Sequence, residues 1–134
     1  MQQHPLGFDV TLSAPLDAAI ATVTEALKAE GFGILTRIDV QATLKEKIGQ
    51  DFRPYVILGA CNPHLAYRAL SADAASGLLL PCNVVVEATE GGSLVRIVNP
   101  DAMMGVPGME DQAAIQAVAA DARAKLERVA AALG

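Results

Sequence analysis

Hydrophobic and polar positions alternate in short stretches and then switch to helical spacing, several times along the chain. Phe8, Val10 and Leu12 alternate with Asp9 and Thr11, the pattern of a strand with one wet face. Leu16, Ile20, Val23 and Leu27 then recur at intervals of four, three and four, an apolar helical stripe. Ser13 is placed to cap that helix, Pro15 suits its first turn, and Gly31 suits its end. A second strand is predicted over Phe32 to Ile38. Asp39 is the expected cap of a short helix with Val40, Leu44 and Ile48 facing inward, stopped by Gly49.

Tyr55 to Cys61 is apolar at every position, which places this strand inside the sheet. Asn62 and Pro63 open a third helix that runs to about Ala72. Pro81 leads into a fourth strand, Cys82 to Ala88. Glu90-Gly91-Gly92-Ser93 turns the chain into a fifth, Leu94 to Asn99. After a loop from Pro100 to Met109, Ile115, Val118, Ala122, Leu126, Val129 and Leu133 mark a helix long enough to lie across a sheet. These elements predict one α+β domain over residues 1–134. It is a two-layer sandwich of about five mostly antiparallel strands with helices packed on one face.

Composition narrows the functional classes. At 134 residues the chain has the size of one domain, and 52% of it is apolar, with five aromatics and no Trp. Ten Lys and Arg stand against fifteen Asp and Glu, a formal charge of −5. Nucleic acid is therefore not an expected partner, because no basic cluster is present to neutralise phosphates. The longest uncharged apolar run, Ala74 to Val86, is interrupted by Ser76, Gly77, Pro81 and Asn83, so no membrane partner is expected. The start of the chain lacks the features of a secretory leader, and a cytoplasmic protein with two reduced thiols is the expectation.

The candidate chemistry centres on those thiols. Cys61-Asn62-Pro63 puts a thiol at the end of an inner strand and just before a helix start, where free N–H groups can stabilise a thiolate. His64 follows as a candidate proton acceptor. Pro81-Cys82-Asn83 repeats the Cys-Asn pair beside a second proline. Either cysteine can equally be a small core hydrophobe. Zinc would want four Cys or His ligands. Two thiols can serve a soft metal. Lys47 and Arg53 would add an anion site if they pointed toward the cysteines. Met103, Met104 and Met109 suit a loop folded over the end of the core, with a copper-binding or lid role open.

Ile38-Asp39-Val40 with Leu44-Lys45-Glu46-Lys47, then Tyr55-Val56-Ile57-Leu58-Gly59-Ala60-Cys61-Asn62-Pro63, then Leu79-Leu80-Pro81-Cys82-Asn83-Val84-Val85-Val86 resemble the family catalogued as domain of unknown function 302. The resemblance extends over nearly the whole chain. It implies a two-layer fold similar to the sheet of the TATA-binding protein, often dimeric, without implying DNA binding. It carries no catalytic role. The matching motif positions are Cys61, Asn62, Pro63, Pro81, Cys82 and Asn83. With His64, these are the candidate ligand-binding residues. The functional expectation is a small homodimeric module that binds a small ligand or a thiophilic metal near Cys61 and Cys82. A thiol enzyme with Cys61 as nucleophile and a purely structural interaction domain are the alternatives.

Overall fold

The apolar faces read from the sequence meet in a single core between one sheet and one layer of helices. The computed structural model describes all 134 residues. Its strands are β1 (Gln2–His4), β2 (Gly7–Leu12), β3 (Gly33–Asp39), β4 (Tyr55–Cys61), β5 (Cys82–Thr89) and β6 (Gly92–Val98). They form one sheet in the order β1-β2-β6-β5-β4-β3, and every neighbouring pair is antiparallel. The helices are α1 (Leu16–Ala29), α2 (Val40–Ile48), α3 (Pro63–Ala72), α4 (Pro100–Met104) and α5 (Ala113–Leu133), with a 3₁₀ segment over Ala74–Leu79.

Alternation decides which strand residues enter the core. Phe8 and Val10 of β2, Val56, Leu58 and Ala60 of β4, Val84 and Val86 of β5, and Val95 and Ile97 of β6 are all buried. They pack against Ile20, Val23 and Leu27 of α1, Leu65 and Ala69 of α3, and Ile115, Val118, Leu126 and Val129 of α5. The expected stripes of α1 and α5 thus lie where their spacing put them.

Four expectations need correction. The sheet has six strands rather than about five, because the polar Gln2–His4 segment pairs with Gly7–Asp9 through backbone bonds that side-chain patterning does not signal. Val40, Leu44 and Ile48 of α2 are not buried: no residue of that helix is, since it bridges β3 to β4 at the sheet edge. Ser13 does not cap α1. Pro15 occupies that position without a side-chain bond, and the adjoining Ala14 carbonyl accepts from the buried Ser93 hydroxyl at 2.8 Å. The loop after Pro100 begins with the short α4, capped by Asn99.

The other sheet face carries a ladder of charges across four strands and the segment leading into β4. His4 and Arg96 both contact Asp9, at 2.9 and 2.8 Å, and Arg96 and Arg53 both contact Glu87, at 3.3 and 3.1 Å. Arg53 also stacks over Phe52, 4.6 Å from the ring centre. Glu87 is nearly covered, and its two guanidinium partners are what make that burial tolerable.

Gly59 shows how tightly β4 meets its neighbours. A Cβ built there would collide with Thr36 Oγ1 and come within 2.9 Å of the Pro81 ring. Neither obstacle swings aside easily, since one is β-branched and the other cyclic. Gly59→Ala is therefore expected to destabilise the domain by about 1–3 kcal/mol in urea unfolding. Gly33→Ala, at a position with open space around it, is the matched comparison and should cost far less.

Candidate functional site

Cys61 ends β4 and Cys82 begins β5, and the ladder between those strands pairs Cys82 with Ala60. Neighbouring antiparallel strands thus bring the two cysteines together at one end of the sheet. Both are free thiols. Both line a cavity of about 290 Å³ bounded by 19 residues, 15 of them hydrophobic. Its inner wall is Phe32, Leu65 and Ala69 from one side and Val118, Ala119 and Ala122 of α5 from the other. Met103 and Met104 close it from α4. Two exposed leucines, Leu35 and Leu70, stand among the lining residues and mark where it reaches solvent.

The remaining members of the two Cys-Asn motifs divide by what they touch. Asn62 caps α3, its Oδ1 accepting from Leu65 N at 3.3 Å, while its Nδ2 donates to Glu30 O at 3.3 Å. It thereby clamps the end of α1 to the start of α3. Beside that contact lies Gly31, which has φ +86° and no room for a Cβ next to the Asn62 amide. Pro63 takes the first helical position, where a missing N–H costs nothing. Pro81 fills the space that Gly59 leaves open. These four positions are explained by the fold. Cys61 and Cys82 are not, because the backbone asks for neither thiol.

Among the candidate residues, Cys61, Asn62, Pro81 and Cys82 line the cavity, whereas Pro63, His64 and Asn83 do not. Asn83 faces the open side of the sheet, opposite Gly59. His64 lies in a separate cleft between α3 and α5 and has no hydrogen bond to Cys61. Lys47 and Arg53 are also absent from the cavity: Arg53 is engaged with Glu87 just ahead of Tyr55, at the other end of β4 from Cys61. Periodicity had no means of finding the contribution of α4 and α5, because the lining alanines of α5 belong to the same stripe that builds the core.

The helix start does not activate Cys61. Pro63 has no N–H, and the N–H groups of Leu65 and Ala66 are taken by Asn62. Neither thiol has a hydrogen-bond partner, and no group of three or more His, Cys, Asp or Glu side chains gathers anywhere in the chain. Burial pushes the Cys61 thiol above its ordinary range. It pushes Cys82 up to about 11, with the nearby Cys61 adding to the effect. An apolar wall disfavours the thiolate, so both sulfurs are neutral near pH 7.

The sequence profile of the domain of unknown function DUF302 matches residues 8–133. The chain belongs to the DUF302 family. A solved structure described as an uncharacterized conserved DUF302 protein from Bacillus stearothermophilus is similar throughout: 36% identity, TM-score 0.80, covering 96% of this chain and 95% of that one. No curated protein matches. No helix in this DUF302 domain is long and apolar enough to cross a membrane.

The raised Cys82 value sets a pH dependence. The folded thiol holds its proton up to about 11, while the unfolded thiol releases it near the ordinary 9.0. Between those values the unfolded state binds fewer protons, so stability falls as pH rises and levels off above the folded value. The stability advantage of the parent over Cys82→Ala should shrink by roughly 2–3 kcal/mol from pH 8 to pH 11. Iodoacetamide at pH 7.5 should label Cys61 slowly and Cys82 more slowly still. Labelling of Cys61 faster than an unfolded thiol would contradict the burial argument.

Proposed function

We propose that this DUF302 domain is a binding module for a small, uncharged, apolar molecule held in the cavity beside Cys61 and Cys82. The observation that carries this reading is a cavity of about 290 Å³ whose lining includes no Asp, Glu, Lys, Arg or His. Its polar atoms are few, and the Asn62 amide is already committed to Leu65 and Glu30. A charged ligand would lose its hydration without a counter-ion, which costs several kcal/mol. An apolar one would gain the transfer energy of its buried surface. The size suits a molecule larger than benzene, which fills a cavity of ~150 Å³.

The neutral state of both thiols supports their role as soft, polarisable wall rather than as nucleophiles. The absence of a base beside Cys61 supports the same choice, because thiol catalysis needs one within reach. One observation favours a second reading. Four sulfur-bearing side chains, Cys61, Cys82, Met103 and Met104, line the same cavity, a donor set suited to a soft monovalent metal such as Cu(I). Metal entry would have to displace the thiol protons. Dimerisation belongs to the first reading as a proposal of its own. The open sheet face carries Ile38, which is exposed, beside the charge ladder, and a second copy would cover it.

Titration with the uncharged fluorophore N-phenyl-1-naphthylamine tests the reading. The parent should bind it saturably with a rise in emission. Ala66→Phe, placed on the half-buried lining of α3, should weaken binding about tenfold or more while leaving the fold intact. Equal binding by parent and variant would remove the cavity as the site. Stoichiometric Cu(I) uptake that disappears in Cys61→Ser, with no fluorophore binding, would shift the conclusion to the metal reading.

A further inference from the structure

A second depression lies on the far side of the α3–α5 contact, distinct from the apolar cavity and opposite to it in character. It has a volume of about 470 Å³ and is lined by Asn62, His64, Leu65 and Arg68 on the α3 side and by Asp121, Ala124, Lys125 and Arg128 on α5. Three of the chain's ten Lys and Arg side chains, and one of its two His, gather in this one cleft, in a protein whose net charge is −5.

The arrangement of the cations matters more than their number. Arg68 Nη1 is held by Asp121 at 2.6 Å, and Arg128 Nε by Glu30 at 2.9 Å. Each contact uses one edge of a guanidinium and leaves its other N–H groups available, so both heads are oriented in advance. Lys125 lies between Asp121 and Arg128 on α5 and has no carboxylate partner. His64 has no side-chain partner either. Two pre-oriented guanidinium groups flanking an uncompensated ammonium, with an imidazole on the facing helix, match the donor geometry that oxyanions select.

We propose that the α3–α5 cleft binds a phosphate-type oxyanion, with Lys125 supplying the uncompensated charge and Arg68 and Arg128 the directed N–H donors. Three cations against the two carboxylates that hold the arginines, Asp121 and Glu30, leave one net positive charge, that of Lys125, which concentrates anions locally even when the whole molecule is acidic. The sequence concealed this because the contributing residues are far apart: Arg68 and Asp121 are separated by more than fifty positions and meet only when α3 docks on α5.

The test is a ¹⁵N–¹H NMR titration of the intact chain with inorganic pyrophosphate at fixed ionic strength. Saturable shifts should centre on His64, Arg68, Lys125 and Arg128. Lys125→Met, which keeps the apolar stem, should weaken binding roughly tenfold. Lys45→Met removes an exposed ammonium paired with Asp51 on α2 and should leave binding unchanged. Arg128→Gln is the second variant, should the first disturb the fold. Tighter binding of glucose 6-phosphate than of pyrophosphate would identify a phosphate ester as the source, and the reverse order a free polyphosphate; both support the site. Shifts that sodium chloride reproduces, or an equal loss in Lys45→Met, would overturn it.

Discussion

Everything in this molecule depends on apolar contact between one face of a six-stranded antiparallel sheet and the helices laid across it. The sheet supplies a row of Val, Leu, Ile and Phe side chains from four interior strands, and α1 and α5 answer with stripes of matching width. Burial of that shared surface is the dominant favourable term in the fold. The opposite face works by other means. There the strands are tied by alternating acids and arginines, with the nearly covered Glu87 bridging Arg53 and Arg96. Such a ladder fixes register at modest net gain, because each ion gives up hydration to join it.

The same contact explains where the cavity lies. At the end of β4 and β5 the helix layer thins: α3 and α5 present Ala66, Ala69, Ala119 and Ala122 among the larger Leu65, Leu70 and Val118, and α4 spans the gap with two methionines. Small residues facing small residues leave space between layers, and flexible thioethers fill it only in part. Cys61 and Cys82 stand at this thin end. Their chemistry follows from that location. A helix start with open N–H groups would have favoured a thiolate, but Pro63 offers no N–H, Asn62 takes those of Leu65 and Ala66, and the surrounding hydrocarbon raises both thiols.

Much of the fold was legible in the sequence because it rests on periodicity. The bounds of β4, the span of α3 with its Asn62 cap, and the β5–β6 hairpin follow directly from alternation and turn chemistry. The methionines rest on a different signal, their habit of filling irregular gaps: Met104 and Met109 are buried and Met103 is half-buried. Gln2–His4 escaped because its pairing is made by backbone groups alone. Ser13 and Pro15, with Ala14 between them, each carry a helix-start signal, and the helix uses only the proline's position. At the site, the cysteines of the two Cys-Asn motifs lie beside one cavity. The motifs could not reveal that Asn62, Pro63 and Pro81 serve the backbone, nor that Asn83 and His64 point elsewhere. The α3–α5 cleft was invisible, since its charges come together only through tertiary packing.

The central claim is that hydrocarbon, not water, surrounds the two sulfurs inside the thin end of the sandwich. Dry apolar cavities take up xenon, whereas hydrated polar ones hold ordered water bonded to their walls. Crystals pressurised with xenon should show an anomalous peak among Leu65, Cys82 and Met104. A cavity without xenon, filled instead by waters bonded to the thiols, would contradict the account.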